Sequence, residues 1–219
     1  MMNNPKICAV IVSNDPKIIK EVSPLADLFE MRIDLIGEGW QQLTKKLDKP
    51  WIACNRLPAE GGQWQGSEAR RIETLLQAVE LGADIIDIEL NTVNLENVAR
   101  VIKKITKLLL SCHDLEKTPS LDEMKGIVRK QLKAGADICK VVTTVREFED
   151  NLTALQLIKE FPDVKIIAFA MGPSGLMSRV LCPLVGGEFT YASIEKGKES
   201  ARGQMTVSEM RKIYGMMTE

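Results

Sequence analysis

Carboxylates, guanidiniums, an imidazole and an amine stand in this chain where apolar side chains are expected. These are the groups of proton transfer and of anion binding. Residues two apart on a strand share a face, and that rule places Glu30, Arg32 and Asp34 of FEMRIDL together, with Met31 and Ile33 opposite. It joins Asp87 to Glu89 in DIIDIEL, aligns Leu109, Ser111 and His113 in LLSCHD, and aligns Ile138, Lys140 and Val142 in DICKVV. Lys140 is a lone ammonium among Ile138, Cys139, Val141 and Val142, and His113 is the chain's one histidine. Each has a plain reading when taken alone: a strand-end ion pair, a lysine whose stem snorkels to water, a histidine hydrogen-bonded in a core. Together they are harder to dismiss, because an unpaired buried ion costs several kcal/mol. Cys112 points away from His113, which argues against a Cys–His nucleophile.

The elements that would carry these groups repeat. Short β-branched runs begin near Lys6, Leu28, Lys49, Ala83, Lys107, Ala136, Lys165 and Glu188. Amphipathic segments lie between them, among them 67–81, 94–105, 120–133 and 146–161. Ser67 and Ser120 suit helix N-caps, and Gly82 and Gly135 suit C-caps. Eight βα units, about 27 residues each over 219 residues, with no linker or break in composition, favour one compact (β/α)8 TIM barrel spanning 1–219. A doubly wound open sheet would carry a glycine fingerprint after the first strand, and VSNDPK has no glycine. The outer strand face of a barrel meets helices and must be apolar, so the charged sets point inward. Active sites assemble at the late strand positions.

Composition removes several classes. Lys+Arg number 29 against 30 Asp+Glu, so no basic nucleic-acid face is expected. The longest apolar runs, 7–12 and Ile166–Met171, fall far short of the roughly 20 residues that cross a bilayer. No charged-then-apolar leader precedes the first run, so a cytoplasmic location is expected. Five cysteines without a CxxC pair and one histidine argue for reduced thiols and against a zinc site.

The segments EMRID (30–34), NRLPAEGG (55–62), DIEL (87–90), SCHD (111–114), GADICK (135–140), SR (178–179) and SARGQ (200–204) run in order through nearly the whole chain. In that order they resemble type I 3-dehydroquinate dehydratase, the Schiff-base dehydratase of the shikimate pathway. DIEL followed by HD and then GADxxK is the specific part of the match. The resemblance implies a (β/α)8 barrel, a homodimer, and no metal or diffusible cofactor, the reaction running through a covalent imine on Lys140. It implies His113 as the proton-transfer residue and Glu89 as the acid that orients it. It implies Glu30, Arg32, Arg56, Arg179, Ser200 and Gln204 as the set that binds 3-dehydroquinate, with Arg179 and the loop after the last strand at the carboxylate. One departure is Arg202, where the family loop usually reads Ser-Ala-Pro-Gly-Gln. Two rival readings remain: a class I Schiff-base aldolase, whose sugar phosphate GPSG (172–175) would hold, and a barrel without catalysis.

Overall fold

Every apolar run identified in the sequence becomes a strand, and every pair of neighbours runs parallel. The chain is described here from a computed structural model covering residues 5–218. The strands are β1 (Ile7–Ile11), β2 (Leu28–Arg32), β3 (Trp51–Cys54), β4 (Ile85–Glu89), β5 (Lys107–His113), β6 (Ile138–Thr144), β7 (Ile166–Met171) and β8 (Thr190–Ser193). They pair in the order β7-β6-β5-β4-β3-β2-β1-β8. This is the expected (β/α)8 barrel, nearly closed. At the one unladdered seam, between β7 and β8, the Glu188 amide donates to the Ile166 carbonyl at 2.9 Å.

The helices between strands are α1 (Pro16–Val22), α2 (Ile33–Ile36), α3 (Trp40–Thr44), α4 (Glu68–Glu80), α5 (Leu95–Ile102), α6 (Leu121–Lys133), α7 (Glu149–Lys159), α8 (Leu176–Leu181) and α9 (Val207–Thr218). Their ends follow local chemistry. Ser67 accepts from the Arg70 amide ahead of α4, and Ser120 with Glu123 forms a full capping box ahead of α6. Gly82 and Gly135 take φ of +95° and +92° just past α4 and α6, where a side chain would be strained.

Alternation along the strands separates two layers. Ala9, Phe29, Met31, Ala53, Ile86, Ile88, Leu108 and Leu110 pack with helix residues such as Ile19, Leu75, Ala99 and Met210. The opposite set, including Val10, Ile52, Leu109, Ile138 and Ile167, points into the barrel and belongs to a second cluster, which continues outward through Cys139 and Val141 to Met124, Val128 and Leu157 of the helices. One expectation fails locally. FEMRIDL does not stay extended: β2 ends at Arg32 and the chain turns into the single-turn helix α2, so Asp34 is not a third residue on the strand face. Asp34 nevertheless reaches back to Arg32, because the turn brings their side chains together.

The end of the barrel away from the charged groups is tied by a repeated device. Asp27 Oδ2 accepts the Ile7 amide at 2.7 Å while the Asp27 amide donates to the Ile7 carbonyl at 3.0 Å. Asp84 does the same with Trp51, at 2.9 and 3.0 Å, and Asp137 with Leu108, at 2.8 Å both ways. An aspartate just before β2, β4 and β6 thereby fixes the register of β1, β3 and β5. Asp137→Ala should cost about 1 kcal/mol for a lost hydrogen bond, since the carboxylate is 36% exposed and its charge is screened by water. Tm should then fall by roughly 2–4 °C, and an unchanged melting curve would remove the pinning role.

Candidate active site

Lys140 projects from the middle of β6 into the barrel and is only 4% exposed. Its Nζ donates to Asp87 Oδ2 at 2.9 Å and to Glu30 Oε1 at 3.4 Å, and it lies 4.1 Å from the centroid of the Tyr191 ring. Burial alone favours the neutral amine. Asp87 and Glu30 outweigh it, against the opposing Arg56, and the net shift is upward. The resting group is therefore an ammonium.

Asp87 is the hub of the interior. Burial pushes its carboxyl up, but Arg56 and Lys140 pull harder, and it is held well below the usual carboxylate range. Arg56 Nη2 donates to Oδ2 at 2.7 Å, and the Ser111 hydroxyl donates to Oδ1 at 2.6 Å. Parallel register explains the proximity: Cys54 pairs with Asp87, Glu89 with Ser111, and Ser111 with Lys140.

The proposed His113–Glu89 couple is not what the structure shows. Glu60, in the loop after β3, takes that place: its Oε2 lies 2.8 Å from His113 Nδ1 and accepts the His113 amide at 3.1 Å. Burial pushes Glu60 up to about 7, despite Arg56. Burial, with Arg56 and Lys140, pushes His113 well below its ordinary value, so the imidazole is neutral. Glu89 is instead enclosed by Arg71 Nη1 at 2.6 Å, Arg56 Nη1 at 3.2 Å and the Leu57 amide at 3.1 Å. It braces the loop that carries Glu60. Glu60 lies inside the NRLPAEGG segment, and its signal was the double glycine behind it. A Cβ on Gly62 would come within 2.0 Å of the Arg56 carbonyl, so only glycine permits the tight return of that loop.

A cavity of about 550 Å³ opens above these groups. Glu30, Arg32, Arg56, Glu60, His113, Lys140, Arg179, Tyr191, Ser200, Arg202 and Gln204 all line it, so every residue of the sequence-derived set except Glu89 does so. They are not equally available. Arg32 is tied to Asp34 through Nε at 2.9 Å and Nη2 at 2.8 Å. Arg56 is tied to Asp87, Ser111 and Glu89. Arg179 differs: it is 1% exposed, its Nε and Nη2 have no hydrogen-bond partner among the described residues, and its guanidinium lies 4.2 Å over the Phe169 ring. Burial lowers it to about 10, which leaves it charged at neutral pH. A buried, unpaired guanidinium on a cavity wall calls for an anion.

The loop after β8 is fixed beside it. Ser200 donates to Gln204 Oε1 from its amide at 2.9 Å and its hydroxyl at 3.2 Å. The Gly172 amide donates to the Arg202 carbonyl at 3.2 Å, so the GPSG turn spends that N–H on the loop. At Gly203, φ is +75° and a Cβ would stand 2.1 Å from the Gly172 carbonyl, which enforces the close approach. Cys112 lies outside this cavity, on a smaller one with Asp114 and Ile127, and burial pushes its thiol up to about 11. That fits its expected exclusion from nucleophilic work. Glu30, Cys54 and Asp87 have donor atoms within 4.8 Å of one another, and the cation among them is Lys140.

The sequence profile of the type I 3-dehydroquinase family matches residues 7–219. A 3-dehydroquinate dehydratase of Dehalococcoides mccartyi is 45% identical over 213 residues, covering 97% of this chain and 96% of the relative. One from Methanocaldococcus jannaschii is 36% identical over 219 residues, covering 96% and 98%. Among solved structures, the 3-dehydroquinate dehydratase of Enterococcus faecalis superposes with a TM-score of 0.80 at 28% identity, covering 97% of this chain and 94% of that one. The type I enzyme of Clostridium difficile shares the fold at a TM-score of 0.88 and 24% identity, covering 98% and 93%. The chain belongs to the type I 3-dehydroquinase family.

Proposed function

We propose that this chain dehydrates 3-dehydroquinate to 3-dehydroshikimate through an imine on Lys140. The observation that carries the reading is a buried lysine beside two carboxylates, in a cavity whose other wall holds an unpaired arginine. The substrate's carboxylate pairs with Arg179, and its ketone meets the Lys140 nitrogen. His113 takes a proton from the ammonium; the amine adds to the carbonyl carbon, and the carbinolamine hydroxyl takes that proton back from His113 and leaves as water, which gives an iminium and restores the neutral imidazole. That cation makes the neighbouring C–H acidic and accepts the electron pair as His113 removes the proton. The electrons then expel the hydroxyl, which takes the proton from His113, and water releases the product from Lys140. Glu60 holds the ring so that Nδ1–H faces its carboxylate and Nε2 faces the cavity as base. Glu89 acts at one remove, through Arg56 and the Leu57 amide. The reaction needs no diffusible cofactor in this scheme.

The same reading takes the working unit as a homodimer in the cytoplasm. Phe148 and Leu152, one turn apart at the start of α7 and 52% and 53% exposed, supply apolar surface for a second copy. No helix among the described residues is long and apolar enough to cross a membrane.

Four measurements check the scheme. Ultraviolet absorbance of the conjugated enone should rise when 3-dehydroquinate meets the protein, and Lys140→Ala should abolish it. Borohydride added with substrate should attach product-derived mass to Lys140, and labelling at any other residue would overturn the covalent route. Arg179→Ala should raise KM tenfold or more, about 1.4 kcal/mol per tenfold, with a smaller effect on kcat; an unchanged KM would remove its assignment. The pH profile has a defined sign. As pH falls through about 7, Glu60 gains a proton and donates to Nδ1, which leaves the hydrogen of the still neutral ring on Nε2 and removes the base. Thus kcat/KM should drop by about tenfold per unit below that point. Glu60→Gln should lose that limb, and an identical limb in the variant would assign it elsewhere.

A further inference from the structure

The Lys140 ammonium has three faces of contact: Asp87 Oδ2 at 2.9 Å, Glu30 Oε1 at 3.4 Å, and the Tyr191 ring, whose centroid lies 4.1 Å away. We propose that Tyr191 is a catalytic residue whose ring face holds the Lys140 nitrogen as a cation, first as ammonium and then as iminium. This rests on the imine route above. The reasoning turns on a count of hydrogens. An ammonium has three N–H donors, whereas the protonated imine of a ketone has one. On going from the first to the second, at least one carboxylate contact loses its hydrogen bond. A ring face attracts positive charge without needing an N–H, so its contribution persists when the others weaken.

The position of the ring suits that task. Tyr191 is 3% exposed on β8, opposite Cys8 in register, and it lines the cavity. Phe189 and Phe169 pack their rings against it edge-on, at 5.4 Å and 6.3 Å between centroids, which fixes the orientation of its face. Its hydroxyl has no partner among the described residues. Burial, with Glu30, Cys8 and Asp87 nearby, holds that phenol protonated far above neutral pH. The hydroxyl is therefore no acid or base for the reaction, and the ring face remains the part that meets the nitrogen.

The test keeps the ring's size and changes its electrons. Tyr191→Phe, and then phenylalanine rings carrying one, two and three fluorines at position 191, drain negative potential from the face step by step. Wild type in the same assay establishes turnover of 3-dehydroquinate; without it the functional reading itself fails. Given wild-type turnover, Tyr191→Phe should retain kcat within about threefold. Each added fluorine should lower both kcat and the fraction of Lys140 trapped by borohydride, reaching about thirtyfold at three fluorines, which is the size of a desolvated cation–π contact. Tyr191→Leu should fall at least as far. A packing role would leave log kcat independent of fluorine number, so a flat series overturns the proposal. A loss already complete in Tyr191→Phe also overturns it, by assigning the effect to the hydroxyl.

Discussion

Asp87 is the group that lets charge stand inside this barrel. Its two oxygens receive Lys140, Arg56 and Ser111 within 2.9 Å. In a dry interior an ion is tolerated only when paired and hydrogen-bonded with good geometry. Arg56 passes the same constraint outward to Glu89, and Glu89 passes it to Arg71, which is fully buried and also bonded to Glu68 and Thr92. Removing any member strands a charge on its neighbour, so the set behaves as one unit. Arg179 is the exception, with two nitrogens unsatisfied. Among the buried charged groups described around the cavity, that one guanidinium is left with unsatisfied donors, and an anion on it would complete the pattern instead of disturbing it.

Much of this was legible because it obeys short-range rules. Strand alternation placed Glu30, Asp87, Glu89 and Lys140 inside the barrel, since a period of two needs no tertiary knowledge. Ser67, Ser120, Gly82 and Gly135 marked helix ends for similarly local reasons. The family likeness of NRLPAEGG, DIEL, SCHD and GADICK then named the cavity, and the cavity contains all but one of the residues assigned from it.

The errors occurred where contacts cross sequence. His113 and Glu60 are 53 residues apart, one at a strand end and the other in a loop turn without periodicity. The family resemblance supplied Glu89 as the partner, and alternation, which only puts Glu89 on the face of Asp87, reports direction and not height or reach. Arg71 was read as part of an amphipathic helix, yet its guanidinium passes under the β3 loop to the Asn55 carbonyl and Glu89. Tyr191 carried no signal at all, since an aromatic on an apolar strand reads as core and only coordinates reveal the nitrogen above it. Asp34 was assigned to the right neighbour for the wrong reason, because the strand ends two residues before it.

The seam between β7 and β8 shows how the fold and the chemistry share parts. Without a ladder there, the two strands are joined by other means: the Glu188–Ile166 bond at one end, the Phe169–Tyr191 ring contact in the middle, and the Gly172–Arg202 bond at the mouth. The two rings of that middle contact are also the two that lie against cations, Phe169 under Arg179 and Tyr191 beside Lys140. A ladder holds strands through backbone groups that face neither the interior nor the helices. A bridge of side chains must instead project into the barrel, and that places aromatic faces where a buried amine and a buried guanidinium need them. The one unladdered join in the sheet is therefore also the wall where the Lys140 ammonium and the Arg179 guanidinium each meet a ring of the same packed pair.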